Sequence, residues 1–323
     1  VRNTIITALF SLFLVFANNV DVYEGNWNHY TGSIDGTYPI YMTLSLEDLH
    51  AQGSYYYYSI GTHIDLEGTY ANDGSFMINE FVNEECTGTF TGAFSADHGA
   101  ASGSWVDASG SKTMSFALEH IAGELTLEAR QFDVTAHIPQ FVDRSQSLQD
   151  LVSDTINALF EDFIVSYEPD MLSEPDWDWE FICDYAIEYY SDHMVSILLE
   201  IYEHTGGAHG NVYYICLNIN EEKGSAEYFE LEDLFLQDMD YQSKLSPLII
   251  SALKKQEAAW ILDGSVERID PDQCVFNIIP GGLQFTFAPY EVGPYAEGPH
   301  WVTVPYKKIK DIIDPRGPIG NIF

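Results

Sequence analysis

Residues 23 to 135 form short alternating runs broken by Gly, Asp and Asn. Residues 64–70 and 76–81 alternate apolar and polar positions with a period of two, and Ala71-Asn72-Asp73-Gly74-Ser75 joins them as a hairpin loop. Residues 87–94, 101–106 and 114–118 continue the pattern at meander spacing, with Ser109-Gly110-Ser111 as a further turn. The apolar faces need a common core, so this part reads as a small, mostly antiparallel sheet or half-open barrel. Within it, Gly53-Ser54-Tyr55-Tyr56-Tyr57-Tyr58 places alternate tyrosines on opposite faces, where they serve either cross-strand pairs or a carbohydrate-stacking surface with Trp27.

The period changes after residues 139–144, which read as a linker. Leu148, Leu151, Val152, Thr155, Ile156, Leu159, Phe160 and Phe163 recur at i, i+3, i+4, i+7, one stripe of a helix, with Ser147 as its cap and Asp150 near the favourable end of the dipole. The acidic loop 168–178 holds Asp176 and Asp178 at calcium-ligand spacing but lacks the glycine and distal Glu of an EF-hand, so it reads as a solvated loop. Residues 185–190, 194–203, 212–219 and 227–231 read as strands. Ser246-Pro247 starts a helix carrying Leu248, Ile249, Ala252 and Leu253. Residues 275–279 and 283–287 flank Pro280-Gly281-Gly282 as a hairpin, 301–304 is a last strand and 306–313 a short closing helix. The expected class is α+β: a mostly antiparallel β domain over 18–138, an α+β domain with helices packed on an antiparallel sheet over 139–314, and a tail at 315–323.

Charge narrows the function. With 50 acidic against 13 basic residues and a net charge of -37, the chain has no basic footprint for nucleic acid. Such a surface draws cationic partners at low ionic strength, or serves as adaptation to salt. Residues 5–17 are mainly apolar behind Arg2 and too short to span a bilayer comfortably, so residues 1–17 read as a secretory signal; a buried first strand or helix is the alternative. The sequence offers no other transmembrane segment. Cys86, Cys183, Cys216 and Cys274 are widely spaced without C-x-x-C pairing, which argues against a zinc or redox centre and leaves any disulfide pairing open.

The densest polar stretch is Tyr202-Glu203-His204-Thr205-Gly206-Gly207-Ala208-His209-Gly210-Asn211, a glycine-rich turn between two hydrophobic runs. His204 and His209 lack H-x-x-x-H or H-E-x-x-H spacing, so neither a metal nor another cofactor is expected. In Tyr290-Glu291-Val292-Gly293-Pro294-Tyr295-Ala296-Glu297-Gly298 two tyrosines offer rigid apolar area and two glutamates offer charge for a basic ligand.

These two loops, with Leu231-Glu232-Asp233-Leu234-Phe235 between them, resemble in content and order the extracytoplasmic domain family of RsiV and PdaC, over residues 141 to 313. The resemblance implies a module outside the cytoplasmic membrane, periplasmic or secreted, that binds rather than catalyses, with a lysozyme-type cationic protein or a peptidoglycan fragment as partner. The candidate binding residues are His204, Gly206, Gly207, His209, Asn211, Tyr290, Glu291, Tyr295 and Glu297. The rival functions are an enzyme or accessory domain acting on cell-wall polysaccharide and a structural envelope protein.

Overall fold

The computed structural model describes residues 20–96, 98–129, 133–173 and 179–322, with the backbone alone over 167–173. The expected signal segment and residues 174–178 of the acidic loop lie outside the described residues, while residues 168–173, read as part of that loop, continue the helix that begins at Gln146.

The alternating runs of the first half close into an eight-stranded antiparallel barrel: β2 (Trp27–Ile34), β3 (Tyr38–Glu47), β4 (His50–Tyr57), β5 (Ile64–Tyr70), β6 (Ser75–Val82), β7 (Glu85–Phe94), β8 (Ala100–Asp107) and β9 (Thr113–Ala129), with β9 pairing back on both β8 and β2. Inward positions such as Ile78, Phe90 and Phe116 fill the interior. Glycines set the curvature. A Cβ at Gly68 would meet the Met77 carbonyl and one at Gly103 the Thr91 carbonyl, so only glycine lets neighbouring strands approach this closely at the barrel corners. The interior holds one buried carboxylate, Glu80, which accepts hydrogen bonds from Trp105 Nε1 (3.0 Å), Thr87 Oγ1 (2.9 Å) and the Tyr55 hydroxyl.

The sheet does not stop at the barrel. β9 is 17 residues long. Beyond its bulge opposite His29 and Tyr30 it leaves β2 and pairs with β10 (Asp133–Phe141) on one edge and β1 (Val20–Glu24) on the other. β10 is followed by α1 (Gln146–Ser173), which crosses over to β11 (Glu180–Ser191), parallel to β10. β12 (Met194–His204), β13 (Asn211–Glu222) and β14 (Ser225–Tyr228) then extend the sheet antiparallel. α1 buries Leu148, Val152, Ile156 and Phe160 in a core that also takes Val134, Ala136 and Ile138 of β10. A separate small sheet of β15 (Val275–Ile279), β16 (Gly282–Phe287) and β17 (His300–Pro305) shares a further core with α2 (Tyr241–Lys255) and with Ile261 of the short α3 (Ala259–Leu262) and Ala258 just before it.

The α+β expectation is therefore wrong. The chain is mostly β, 52% strand against 18% helix, with three helices among the described residues. Periodicity located two helices but not how much they contribute: the segment expected as a closing helix over 306–313 is a 3-10 turn, Tyr306–Lys308, and the apolar runs between residues 180 and 228 lengthen one sheet that starts in the barrel. Two helix starts also move. Ser145, not Ser147, caps α1 by accepting from the Leu148 N–H at 3.2 Å, while Ser147 Oγ accepts from Ala226 N–H of β14. α2 starts at Asp240, whose carboxylate accepts from Ser243 N–H, so Pro247 lies inside it and leaves one backbone carbonyl without its helical donor.

Polar pins hold the layers together. Arg144, just before α1, donates Nε to Glu221 Oε2 (2.7 Å) and Nη1 to the Ser191 carbonyl (2.9 Å), with both ion-pair side chains nearly buried. Burial alone would raise the Glu221 pKa, but hydrogen bonds from Arg144 and Ser145 outweigh it and hold the carboxyl below its usual range. Between the two sheets, fully buried Ser196 donates to Asn218 Oδ1 (2.7 Å) and accepts from Asn277 Nδ2 (2.9 Å) and Ile278 N–H (3.0 Å). Residues 315–322, read as a tail, fold back and bury Ile319. All four cysteines are free thiols.

The four tyrosines of β4 and its end are spent on packing. Tyr55 and Tyr57 join the barrel core; Tyr56 and Tyr58 face outward beneath the C-terminal unit and donate to the carbonyls of Glu188 (3.3 Å) and Tyr190 (3.0 Å). A stacking surface built on them is therefore ruled out.

Candidate functional site

The turn expected between two hydrophobic runs is the β12–β13 hairpin loop, residues 205–210, in which Gly206 and Gly207 take φ of 99° and 106°. Positive φ at two successive positions is what these glycines supply. Gly210 is buried, and a Cβ there would strike the Tyr202 ring, so the loop lies flat on β12.

The second loop reaches the first from the other sheet. It follows β16, turns at Tyr290 with φ of 73°, and passes through the 3-10 turn Tyr295–Glu297 before β17. The His209 and Tyr295 rings stack at 4.0 Å between centroids with planes 22° apart. Tyr290 completes the group, 5.6 Å from Tyr295 and 6.4 Å from His209. The Gly210 carbonyl is the hub, accepting from the Tyr295 hydroxyl at 3.0 Å and from His209 Nδ1 at 2.8 Å. A carbonyl oxygen only accepts, so His209 carries a proton on Nδ1, and in the neutral ring Nε2 accepts from the Tyr290 hydroxyl 3.4 Å away. Tyr290 remains 51% exposed, a free aromatic face on a fixed support.

The other candidate residues are not part of this group. Glu291 turns back on its own loop and accepts from Ala288 N–H; burial raises its pKa and that N–H partly offsets the rise. Glu297 accepts from Ala259 N–H at 3.2 Å and lies 3.4 Å from His300 Nε2, so it fastens the loop to α3. His204 and Asn211 sit at the base of the hairpin, opposite Glu180 and Glu203. The middle motif is an anchor: Leu231 and Leu234 are buried and Phe235 stacks on Tyr241 at 4.5 Å.

Sequence reasoning missed Tyr202 and the carbonyl of Gly210, which support the stacked rings. It also missed a cluster formed only by strand register. His137 of β10 sits between Glu124 of β9 (Nδ1 to Oε1, 3.4 Å) and Asp184 of β11 (Nε2 to Oδ1, 3.6 Å). Among the described residues no group of three His, Cys, Asp or Glu is arranged to hold a metal ion, and no helix is long and apolar enough to cross a membrane.

Two family models match the chain in succession. The model described as Deacetylase PdaC covers residues 126–212, and DUF3298, a protein family of unknown function, covers residues 232–307. The peptidoglycan-N-acetylmuramic acid deacetylase PdaC of Bacillus subtilis (strain 168) is 27% identical over 139 residues, which are 42% of this chain and 29% of that protein. This chain thus spans under a third of that relative. Two crystal structures of DUF3298 family proteins are similar: one from Pseudomonas aeruginosa PAO1 (19% identity, 56% of this chain and 84% of that one, TM-score 0.45) and one from Bacteroides fragilis NCTC 9343 (18%, 58% and 87%, TM-score 0.44). Residues 126–212 are PdaC-like and residues 232–307 are similar to DUF3298 proteins, which together take in the stretch that the motifs mark as resembling this family.

Proposed function

We propose that this PdaC-like chain is an extracytoplasmic, cell-wall-associated binding module without catalytic activity of its own, and that the His209, Tyr290 and Tyr295 cluster is its recognition surface. The carrying observation is that two loops far apart in sequence meet as a stacked aromatic group braced on one backbone carbonyl, with Tyr290 left open to solvent. Rigid tyrosines contribute contact area at small entropic cost, as binding anchors do. The similar Bacillus subtilis protein is a peptidoglycan deacetylase by name. The net charge of -37 favours a cationic partner of the lysozyme type over an anionic one.

The test is calorimetric titration with peptidoglycan fragments and with lysozyme, at low and physiological ionic strength. Binding of one of them, weakened about tenfold or more by Tyr290→Ala as expected for an aromatic anchor, supports the reading. A lysozyme complex should also weaken with salt. Binding of neither, or binding indifferent to both Tyr290→Ala and Tyr295→Ala, rejects it. Turnover of a wall fragment that disappears in His209→Ala would make the protein an enzyme instead.

A further inference from the structure

The outer face of the barrel is covered at one end only. There His29, Tyr41, Tyr56 and Tyr58 are packed beneath the C-terminal unit. Beyond that cover, strand register aligns side chains from four neighbouring strands in one row: Trp27 opposite Ser45, Ser45 opposite Gln52, Gln52 opposite Glu67. A second row sets Thr43 opposite Ser54 and Ser54 opposite Asp65. With strands about 4.8 Å apart, the first row runs for about 14 Å. Trp27, Gln52 and Glu67 of the first row and Thr43, Ser54 and Asp65 of the second line a shallow groove of about 440 Å³.

The relief of this strip follows from residue size. Trp27 stands at one end, 37% exposed, and Glu67 is exposed at the other, while Ser45 beside Trp27 is buried. At Gly53 a Cβ would collide with the Thr43 carbonyl, so β3 and β4 approach closely there. Thr43, Gln52 and Glu67 make no side-chain hydrogen bond or ion pair within the described residues. A strand pair needs no exposed indole, and solvated charge alone would not bring Trp27, the uncommitted Gln52 amide and Thr43 hydroxyl and the carboxylates of Asp65 and Glu67 into two adjacent rows, in which Ser54 is paired with His63.

We propose that this strip is a saccharide-binding groove. Pyranose rings present an apolar C–H face, which stacks on the Trp27 indole, and a rim of hydroxyls, which pair with Gln52, Thr43 and Glu67. Asp65 and Glu67 accept from a sugar hydroxyl or a protonated sugar amine and repel a carboxylate, so the ligand is a neutral or amine-bearing oligosaccharide and not an acidic one. The site lies on the barrel and is independent of the His209 cluster.

The experiment titrates the full chain with an oligomer of N-acetylglucosamine, with its de-N-acetylated counterpart and with an oligogalacturonate, by calorimetry and tryptophan fluorescence. At least one of the first two should bind saturably and the galacturonate should not. Trp27→Ala should lower the affinity by about tenfold or more, Glu67→Gln should weaken the amine form more than the acetylated one, and Val165→Ala, at an exposed position of α1 away from the groove, should change nothing. Both Trp27 and Glu67 are exposed, so circular dichroism should show these variants folded. The proposal is overturned if folded protein binds neither glucosamine oligomer, if the galacturonate binds as well as they do, if Trp27→Ala leaves binding unchanged, or if Val165→Ala weakens it as much as Trp27→Ala does.

Discussion

The barrel and the C-terminal unit share a continuous sheet but bury their strands differently. Closure gives each barrel strand one inside and one outside, as in β6, where Phe76, Ile78, Glu80 and the residues between them alternate. In β12 six consecutive residues from Met194 to Leu199 are buried, because the α1 core takes one face and the core shared with β15–β17 the other. A one-sided strand declares its orientation in sequence. A two-sided one reads as a plain apolar run, and nothing in it says what covers either face.

The first way to break the comparison is to separate the regions. The barrel core draws only on residues between Tyr30 and Leu118, so a fragment of residues 20–138 should keep a cooperative thermal transition. A fragment of residues 139–323 leaves behind Leu127, Val134, Ala136 and Ile138 and bares the edge of β11, so it should lose cooperativity and aggregate. Circular dichroism melts of both pieces decide the matter; a cooperative second fragment would show that β9 and β10 are dispensable to it.

A smaller effect, confined to the C-terminal unit, is expected from Arg144→Ala. It strands Glu221 without its counter-ion and frees the Ser191 carbonyl, which should cost about 3–5 kcal/mol, as breaking a buried pair does. Urea denaturation of the full chain measures it. A loss under about 1 kcal/mol, the value of a surface pair, would mean that water already reaches this link.

What was legible in the sequence divides along the same line. The barrel hairpins were readable because alternation and turn glycines are local signals, and closure was not, because it depends on β9 meeting β8 and β2 together. The loop pair was readable because Gly206, Gly207 and the Tyr290 to Gly298 segment carry their own turn chemistry. Glu291 and Glu297 each accept from an N–H, of Ala288 and Ala259 respectively, a pairing no spacing reveals. The Trp27 row and the Glu124–His137–Asp184 cluster arise from register between distant strands. The α+β expectation failed because an amphipathic stripe such as Leu148 to Phe163 fixes a helix but not its share of the fold.

The smallest expected effect compares histidines. At the barrel His29, His63 and His120 all have pKa values lowered by burial, His29 to about 3 with His120 adding to its shift. A neutral buried imidazole lowers stability as pH falls below its unfolded value of about 6.5, because the unfolded state takes up the proton first. His137 behaves oppositely. Burial works against its charge, but the hydrogen bond and charge of Glu124 and the charge of Asp184 prevail and raise its pKa. Its contribution is therefore fully present below about pH 6.5 and is lost as pH rises through the folded value. Thermal melts of the parent and of His137→Gln between pH 5 and 9 should show the parent's advantage greatest at the acid end and shrinking towards the alkaline end. With its side chain 26% exposed and that of Asp184 59% exposed, solvent screens the pair and the effect stays below that of Arg144. An advantage that grows with pH would mean that His137 is held neutral between the two carboxylates, like its counterparts on the barrel.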